Sequence, residues 1–360
     1  MARPVFLVGS APFTPEEALE RFATTLGGLA RRLPDGEQHG WLPLKVLDTA
    51  RGLVAGNGEP IQATGPSAVR STLRLAPGTR AEDLRFETLH YARAARESYS
   101  IFRRLRESGI VRPGTRFQMS IPTPFTACLI LDWDVVRDVW PVYERRLLAN
   151  VAEMVEAIPP GELAISWDVV TEFMLLTAPS ARDTYSLDEL AGGVARLVDA
   201  LPAEVETGLH FCYGRHNSRG EVEFASEEER RQLAPTIRDI SDTQLMVDVF
   251  NAIRSVARRP IDWLHLPVPK RHDDDAFYAP LARLDLRGHT ELYLGLLHLD
   301  DGLEGTKRKL AAAERAGIEF GVAAPCGFRA STPNLPASIS GLGLDPSVAM
   351  IEYHRQVAEL

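Results

Sequence analysis

The chain has 360 residues, of which 45% are hydrophobic and 25% are charged, and its formal net charge is −9. This balance is typical of a globular protein with a large core, and the mixed charges exclude the basic face of a nucleic-acid-binding protein. The sequence has no apolar run of the ~18 residues that a membrane span needs, and its N-terminal apolar run is shorter than we expect of a signal peptide. We therefore expect a cytoplasmic protein without a nucleic-acid or membrane partner. Its three cysteines are too few for a disulfide framework and are expected to stay reduced.

The first part of the chain predicts two strands and two helices. An apolar run at residues 4–8 predicts a buried strand, and Thr14, followed by a proline and two acidic residues, is typical of a helix start. Residues 33–80 are irregular and rich in Gly and Pro, which predicts a long functional insertion. A second strand is predicted at residues 84–89, followed by an amphipathic helix at residues 92–107.

The alternation of strands and helices continues to the end of the chain. Further strands are predicted at residues 116–121, 163–168, 207–213, 261–266, 291–298 and 318–323. Further helices are predicted at residues 133–158, with a break near Pro141, and at residues 187–201, 242–258, 305–316 and 345–360. Eight strands in this order favour an α/β fold, a single (β/α)8 TIM barrel over residues 1–360 with the insertion above its mouth.

Polar residues gather at the predicted carboxyl-terminal strand ends, which converge on one mouth in such a barrel. They are Ser10, Asp168, His210, Cys212, His265, His298 and Cys326. Side chains two apart on a strand point to the same side, so His210 and Cys212 face the same space. With Cys326 they offer three ligands, which is typical of a catalytic zinc with one exchangeable position. We therefore expect bound Zn2+.

Several of these residues also have a purely structural interpretation. A buried His and a buried Cys, taken alone, are more often packing residues than ligands. The addition of Cys326 and the barrel order favours the metal. Asp168 is alternatively a helix N-cap after its strand. The third cysteine, Cys128, lies outside the site pattern and is expected to pack in the core.

Four segments of the chain carry a family resemblance. They are Val8-Gly9-Ser10, Asp168, His210-Phe211-Cys212-Tyr213 and Ala324-Pro325-Cys326-Gly327-Phe328-Arg329. In order and spacing the chain resembles the catalytic barrel of cobalamin-independent methionine synthase, in a group that includes uroporphyrinogen decarboxylase-like barrels. The resemblance implies a zinc that binds the substrate thiol. Larger family members carry an additional N-terminal barrel for polyglutamylated folate, for which we expect no room here.

The resemblance also implies roles for individual side chains. Asp168 is expected to hold the ammonium group of an amino-acid thiol, and Ser10 with a neighbouring backbone N–H is expected to bind its carboxylate. Glu87 is expected to assist from the second strand. His298, followed by two aspartates, is expected to protonate the leaving group after the methyl is lost.

One departure from the family concerns the fourth zinc ligand, a Glu on the strand after His-x-Cys. That strand here reads Asp262-Trp263-Leu264-His265-Leu266-Pro267 and contains no Glu. Imidazole suits zinc, so His265 is the candidate replacement ligand. The alternatives are an orienting or rim residue, with water or substrate in the fourth position.

These features predict a zinc-dependent methyltransferase of methionine biosynthesis that methylates a small-molecule thiol such as homocysteine. The donor is expected to be a folate or a methylated corrinoid, the latter carried by a partner protein. One alternative is thiol-to-epoxide transfer of the coenzyme M transferase type, which uses a related His-x-Cys…Cys pattern. Others are a uroporphyrinogen decarboxylase-like enzyme, which needs no zinc, and a non-catalytic barrel with a structural zinc.

Overall fold

The structure is a computed structural model. It describes residues 2–37, 50–56, 73–86, 89–128, 131–177, 185–213, 241–287, 289–331 and 343–360. The parallel strands in these ranges are β1 (Arg32–Pro34), β4 (Arg116–Pro122), β5 (Leu163–Val169), β6 (Glu206–Phe211), β7 (Trp263–Pro267), β8 (Glu291–Gly295) and β9 (Gly321–Val322). They pair in that order in one curled sheet, each parallel to the next. β2 (Leu53–Ala55) and β3 (Leu73–Leu75) form a separate antiparallel ribbon.

Helices connect successive strands of the described sheet. They are α1 (Pro15–Leu26), α2 (Tyr91–Glu107), α3 (Pro124–Ala127), α4 (Trp133–Ala157), α5 (Thr171–Thr177), α6 (Leu187–Asp199), α7 (Gln244–Val256), α8 (Asp275–Tyr278), α9 (Gly302–Glu314), α10 (Phe328–Ser331) and α11 (Pro346–Ala358). This arrangement confirms an α/β fold with a parallel, TIM-like curled sheet. None of the helices in the described ranges is long and apolar enough to span a membrane.

The short segment at residues 4–8 lies between the two edges of the curled sheet. Val5 makes parallel bridges to Val322 of β9 and to Ala30, just before β1. Its backbone N–H donates to the Leu29 carbonyl at 2.8 Å, and the Phe6 N–H donates to the Val322 carbonyl at 3.0 Å. The strand predicted at residues 4–8 is thus present as isolated bridges.

The second strand of the parallel sheet lies earlier in the chain than the sequence predicts. The expected strand at residues 84–89 is wrong: within the described part of that range, Arg85 makes an antiparallel bridge to Arg51, away from the parallel sheet. The strand in the sheet is β1, shortly after α1. β1 is short, begins with a charged residue and ends in a proline, so hydrophobic alternation cannot mark it.

Two helix predictions have different outcomes. The predicted start of α1 is confirmed: the Thr14 hydroxyl accepts from the Glu17 N–H at 3.3 Å, and the Glu17 carboxylate accepts from the Thr14 N–H at 2.9 Å. The predicted break near Pro141 is wrong, because α4 continues through it. Packing compensates for the lost backbone hydrogen bond: next to the proline, Trp140 stacks on Phe125 with ring centroids 4.1 Å apart.

A buried arginine lies at the amino-terminal ends of the strands, opposite the site end. Arg32 of β1 is 5% exposed and donates to Glu206 at 2.6 Å and to Glu291 at 2.9 Å. Its guanidinium also lies 4.2 Å from the Trp263 ring centroid. These contacts supply the opposite charges and π-face that a buried cation needs. β1 is therefore fixed in the sheet by a charged anchor as well as by apolar packing.

Candidate active site

Three of the residues predicted as metal ligands come together at the carboxyl-terminal ends of the strands. His210 lies on β6, Cys212 directly follows it, and Cys326 follows β9. The imidazole and thiol ligand atoms of these three residues, called here the metal trio, all lie within 4.8 Å of one another. The Cys326 Sγ is 4.0 Å from the His210 Nε2. No other such group of three His, Cys, Asp or Glu ligands occurs in the described part of the chain.

Backbone hydrogen bonds explain why the metal trio meets. The Cys212 N–H donates to the Val169 carbonyl at 3.1 Å, which extends the β6 geometry by one residue and keeps the thiol on the side of His210. On the other side, the Phe328 N–H donates to the Ser10 carbonyl at 2.6 Å. Gly327 allows this approach, because a Cβ there would collide with the Ser10 hydroxyl. The loop that carries Cys326 is thereby held against the first strand segment.

The metal trio fits a zinc ion in donor type and spacing. Zinc takes thiolate sulfur and imidazole nitrogen, and its bond lengths place tetrahedral ligand atoms roughly 3.6 to 3.8 Å apart. The hydrogen bond to Cys212, burial and the neighbouring charges of Cys212 and Asp168 raise the pKa of Cys326 well above its ordinary value. A bound cation is what would allow these two sulfurs to ionise side by side.

His265 lies next to the metal trio but is not part of it. It is the register partner of His210 on β7, and its side chain is fully buried. Its Nδ1 is 2.8 Å from the His210 Nδ1, and its Nε2 is 3.1 Å from the Ala324 carbonyl oxygen. Both ring nitrogens of His265 therefore have partners other than a metal.

Asp168 lies beside the metal trio, in the same row of the sheet. It is the register partner of His210 on β5 and is 8% exposed. Its Oδ1 is buried without a hydrogen-bond partner in the described part of the structure. Burial raises the pKa of Asp168 to about 6, with His210 lowering it and Cys212 raising it. An unpaired buried carboxylate oxygen of this kind is suited to a cationic or hydrogen-bonding ligand.

Glu37 is a second carboxylate at the site, and the sequence prediction missed it. Burial and the nearby charges of Asp168 and Asp35 raise the pKa of Glu37 well above its ordinary value, against the opposing effects of the Ser120 hydroxyl and Arg329. Two carboxyl groups that repel in this way do not readily ionise together. A ligand ammonium group would allow both to ionise.

Local backbone geometry also marks Glu37 as a specialised position. Its φ is +51°, a left-handed conformation that is uncommon outside glycine and occurs often at functional sites. Its Asp35 neighbour accepts the Glu37 N–H at 2.9 Å and thereby supports the turn. The Glu37 carboxylate packs against the backbone of Gly9, where a Cβ would collide with that carboxylate and with the Ser120 hydroxyl.

A signal for Glu37 is present in the sequence, three residues after the end of β1. Asp168 is a candidate because it is a polar residue at the carboxyl-terminal end of a strand. The same criterion would select Asp35 and Glu37 if β1 were recognised as a strand. Because the sequence places the second strand later, it assigns this role to Glu87 instead. Glu87 lies outside the described residues.

The remaining predicted residues lie around the same end of the sheet. Ser10 packs against Gly327, next to the Cys326 loop. His298 is buried and its Nε2 is 2.8 Å from the Val268 carbonyl oxygen, so this nitrogen carries the proton. Burial lowers the pKa of His298 to about 4. The carboxylates that follow it pair with lysines, Asp300 with Lys270 and Asp301 with Lys309.

A threonine and glutamate network supports the backbone next to Asp168. Glu172 accepts from the Thr123 hydroxyl at 2.6 Å, and Thr126 donates to the Asp168 carbonyl at 3.1 Å. Burial raises the pKa of Glu172 to about 7, against the lowering effect of its hydrogen bonds to Thr123 and Thr126. Cys128 is fully buried nearby, and burial and then Glu172 raise the pKa of its thiol.

Comparison with known proteins shows a shared fold. Two of the solved structures that match do so over the whole length of this chain. One is a putative vitamin-B12 independent methionine synthase from Listeria monocytogenes, 14% identical, with a TM-score of 0.53 and 98% of its chain covered. The other is a B12-independent methionine synthase from Shewanella sp. W3-18-1 in complex with selenomethionine, 13% identical, with a TM-score of 0.57 and 98% covered. No family model and no curated protein matches the sequence.

Proposed function

We propose that the protein is a zinc-dependent transferase that moves a methyl group onto the thiol of an amino acid, with homocysteine as the default acceptor. The observation that carries the proposal is the juxtaposition of the metal trio with the Glu37 and Asp168 carboxyl groups. A soft-metal site suits a thiol, and a carboxylate pair suits an ammonium group. The fold likeness to the two methionine synthase structures agrees with this chemistry.

Different side chains bind different groups of the substrate. His210, Cys212 and Cys326 would hold the zinc, which lowers the pKa of a thiol so that the sulfur is nucleophilic at neutral pH. Asp168, through its unpaired Oδ1, and Glu37 bind the ammonium group. Ser10, beside the Cys326 loop, remains the candidate for the carboxylate.

Methyl transfer then needs few further groups. The acceptor sulfur releases its proton to solvent on binding, then attacks the methyl carbon and forms the S–C bond, while the bond from the methyl to the donor breaks and the donor keeps the electron pair. A folate nitrogen would also take up a proton. With its proton on Nε2, neutral His298 can accept a proton at Nδ1 and can pass it on only after that. A folate or a partner-bound corrinoid remains the proposed donor.

The proposal includes a closed (β/α)8 barrel, with the segment at residues 4–8 as its eighth strand. The bridges from Val5 to both sheet edges support this closure. In such a barrel the metal trio, Asp168 and Glu37 all face the mouth at the carboxyl-terminal strand ends, where the active sites of this architecture lie.

The alternative of thiol alkylation with coenzyme M is less well supported. Coenzyme M carries a sulfonate and no ammonium group, and an anion next to Glu37 and Asp168 would be repelled. A uroporphyrinogen decarboxylase-like reaction would leave the two thiols of the metal trio without a role. We therefore keep the amino-acid thiol as the substrate class.

A thiol-binding experiment on the zinc-loaded full chain tests the proposal. Homocysteine should add one sulfur to the zinc shell, measured by X-ray absorption, and release about one thiol proton near pH 7, in addition to the proton given up when Glu37 and Asp168 both ionise. Asp168→Asn and Glu37→Gln should each weaken homocysteine binding roughly tenfold or more, as expected for a charge-assisted hydrogen bond. Their effect on coenzyme M should be much smaller.

Asp273→Asn is the matched control, because this carboxylate is exposed, pairs with Arg308 and belongs neither to the metal trio nor to the Glu37 and Asp168 pair. It should leave both thiols unaffected. If no thiol enters the zinc shell at millimolar concentration, thiol alkylation is the wrong reaction class.

A further inference from the structure

A chain of hydrogen bonds runs from helix α11 to the metal trio. The Met350 carbonyl oxygen is 2.7 Å from the His354 Nδ1, and the His354 Nε2 is 3.0 Å from the Ala324 backbone nitrogen. The Ala324 carbonyl oxygen is 3.1 Å from the His265 Nε2. The His265 Nδ1 is in turn 2.8 Å from the His210 Nδ1. The side chains of His265 and His354 are both fully buried.

Backbone groups dictate the proton positions along this chain, because a carbonyl oxygen only accepts and an amide N–H only donates. The Met350 carbonyl requires a proton on the His354 Nδ1. The Ala324 N–H requires a lone pair on the His354 Nε2, so His354 is neutral. The Ala324 carbonyl requires a proton on the His265 Nε2.

The Nδ1 atoms of His265 and His210 face each other, and the remaining question is which of the two carries the proton of their hydrogen bond. A proton on the His265 Nδ1 as well would make it an imidazolium, fully buried, whose two hydrogen-bond partners in the described part of the structure are a backbone carbonyl and another imidazole. Neutral His265 therefore accepts at Nδ1, and His210 donates from Nδ1. In neutral His210, the Nε2, which faces the Cys326 sulfur at 4.0 Å, then carries a lone pair.

We propose that His265 and His354, linked through the Ala324 peptide, fix His210 in the Nδ1–H tautomer and hold the Cys326 loop, so that His265 is a positioning residue and not a zinc ligand. The inference rests on the metal centre of the proposed function and deepens it. It leaves three protein ligands and one coordination position for the thiol. Ala324 lies two residues before Cys326, so the same relay orients a nitrogen ligand and a sulfur ligand together.

The first test needs no substitution. In the full chain labelled with 15N-histidine, two-bond 1H–15N spectra distinguish the two tautomers of each imidazole. His210 and His354 should carry their protons on Nδ1 and His265 on Nε2, in zinc-free protein. A proton on the His210 Nε2 would overturn the proposal.

A pair of variants separates positioning from mere space filling. His265→Phe fills the volume but offers no acceptor, so the His210 tautomer should become mixed and zinc affinity, by chelator competition, should fall ~10–100-fold. His265→Gln keeps one donor and one acceptor and should restore most of that affinity. Exposed His289→Asn is the control and should change nothing. Equal zinc affinity in His265→Phe and the unsubstituted chain would reject the relay.

X-ray absorption keeps this inference separate from the proposed function. A zinc shell with one imidazole and two sulfurs supports the relay even if no thiol enters the shell. A second imidazole that is lost in His265→Phe would make His265 a ligand and overturn the relay, while the thiol-transfer proposal would still stand.

Discussion

At the scale of single residues, Cys326, which is half-buried, and Cys128, which is buried, differ in their surroundings. Cys326 lies among nitrogen and sulfur ligands, whereas Cys128 lies in the core beside Glu172. We expect one zinc per chain, and Cys326→Ser should lose most of it, because Ser does not supply a thiolate near neutral pH. Metal content after dialysis, measured by elemental analysis, checks this.

Cys128→Ser is the matched control and should retain the metal. Full zinc occupancy in Cys326→Ser would contradict the assignment of Cys326 as a ligand. Loss of zinc in Cys128→Ser would mean that Cys128 is a ligand. Cys212→Ser should behave like Cys326→Ser, since both sulfurs belong to the metal trio.

The sequence predicts the metal trio but not the whole site, for a physical reason. His210 and Cys212 share a strand, so their spacing alone places them on one side. Cys326 is recognised because it also follows a strand. Glu37 depends on a left-handed turn after a three-residue strand, which no hydrophobic period reveals. The relay through His265 depends on ring orientation, which a sequence does not contain.

At the scale of elements, β1 is held by the buried side chain of Arg32. Arg32→Ala would leave Glu206 and Glu291 without their buried partner and remove the contact with Trp263. Both glutamates are partly exposed, so water recovers part of the loss. We expect the free energy of unfolding in urea to fall by about 3 kcal/mol.

The neighbouring arginine supplies the control. Arg31 also pairs with Glu291, but its side chain is 65% exposed. Arg31→Ala should therefore change the free energy of unfolding by less than about 0.5 kcal/mol. Similar losses for Arg31→Ala and Arg32→Ala would mean that β1 is not anchored by the buried charge.

The elements that the sequence predicts well are long ones, in which the hydrophobic pattern extends over many residues. The helix predicted at residues 92–107 is observed as α2, and the strand predicted at residues 163–168 as β5. The two errors concern β1, which is too short to show alternation, and Pro141, where packing outweighs propensity. Local patterns predict the elements and their order, whereas contacts distant in sequence decide the exceptions.

At the scale of the whole molecule, the metal trio joins the middle of the chain to its last strand. Zinc bound only by the folded state should therefore raise the unfolding temperature. At a free zinc concentration of 100 times Kd the gain is about 2.7 kcal/mol, which corresponds to a few degrees for a chain of this size. Differential scanning calorimetry with zinc and with a chelator measures this shift.

Cys326→Ser should lose the zinc-dependent shift while keeping a cooperative transition. A chelator that strips one zinc per chain without lowering the transition temperature would show that the metal does not bridge β6 and the loop after β9.

The bridges from Val5 to Ala30 and Val322 also affect how the chain folds during its synthesis. The two partners of Val5 lie at opposite ends of the sequence: Ala30 leaves the ribosome early, whereas Val322 is synthesised about 300 residues later. Until then the Phe6 N–H and the Val322 carbonyl cannot meet, and one edge of the growing sheet stays open. Such a late, distant contact slows the last folding step, and open edges invite pairing with other chains. We therefore expect a nascent chain that ends before β9 to aggregate more readily than the full chain, and a chaperone to reduce that aggregation.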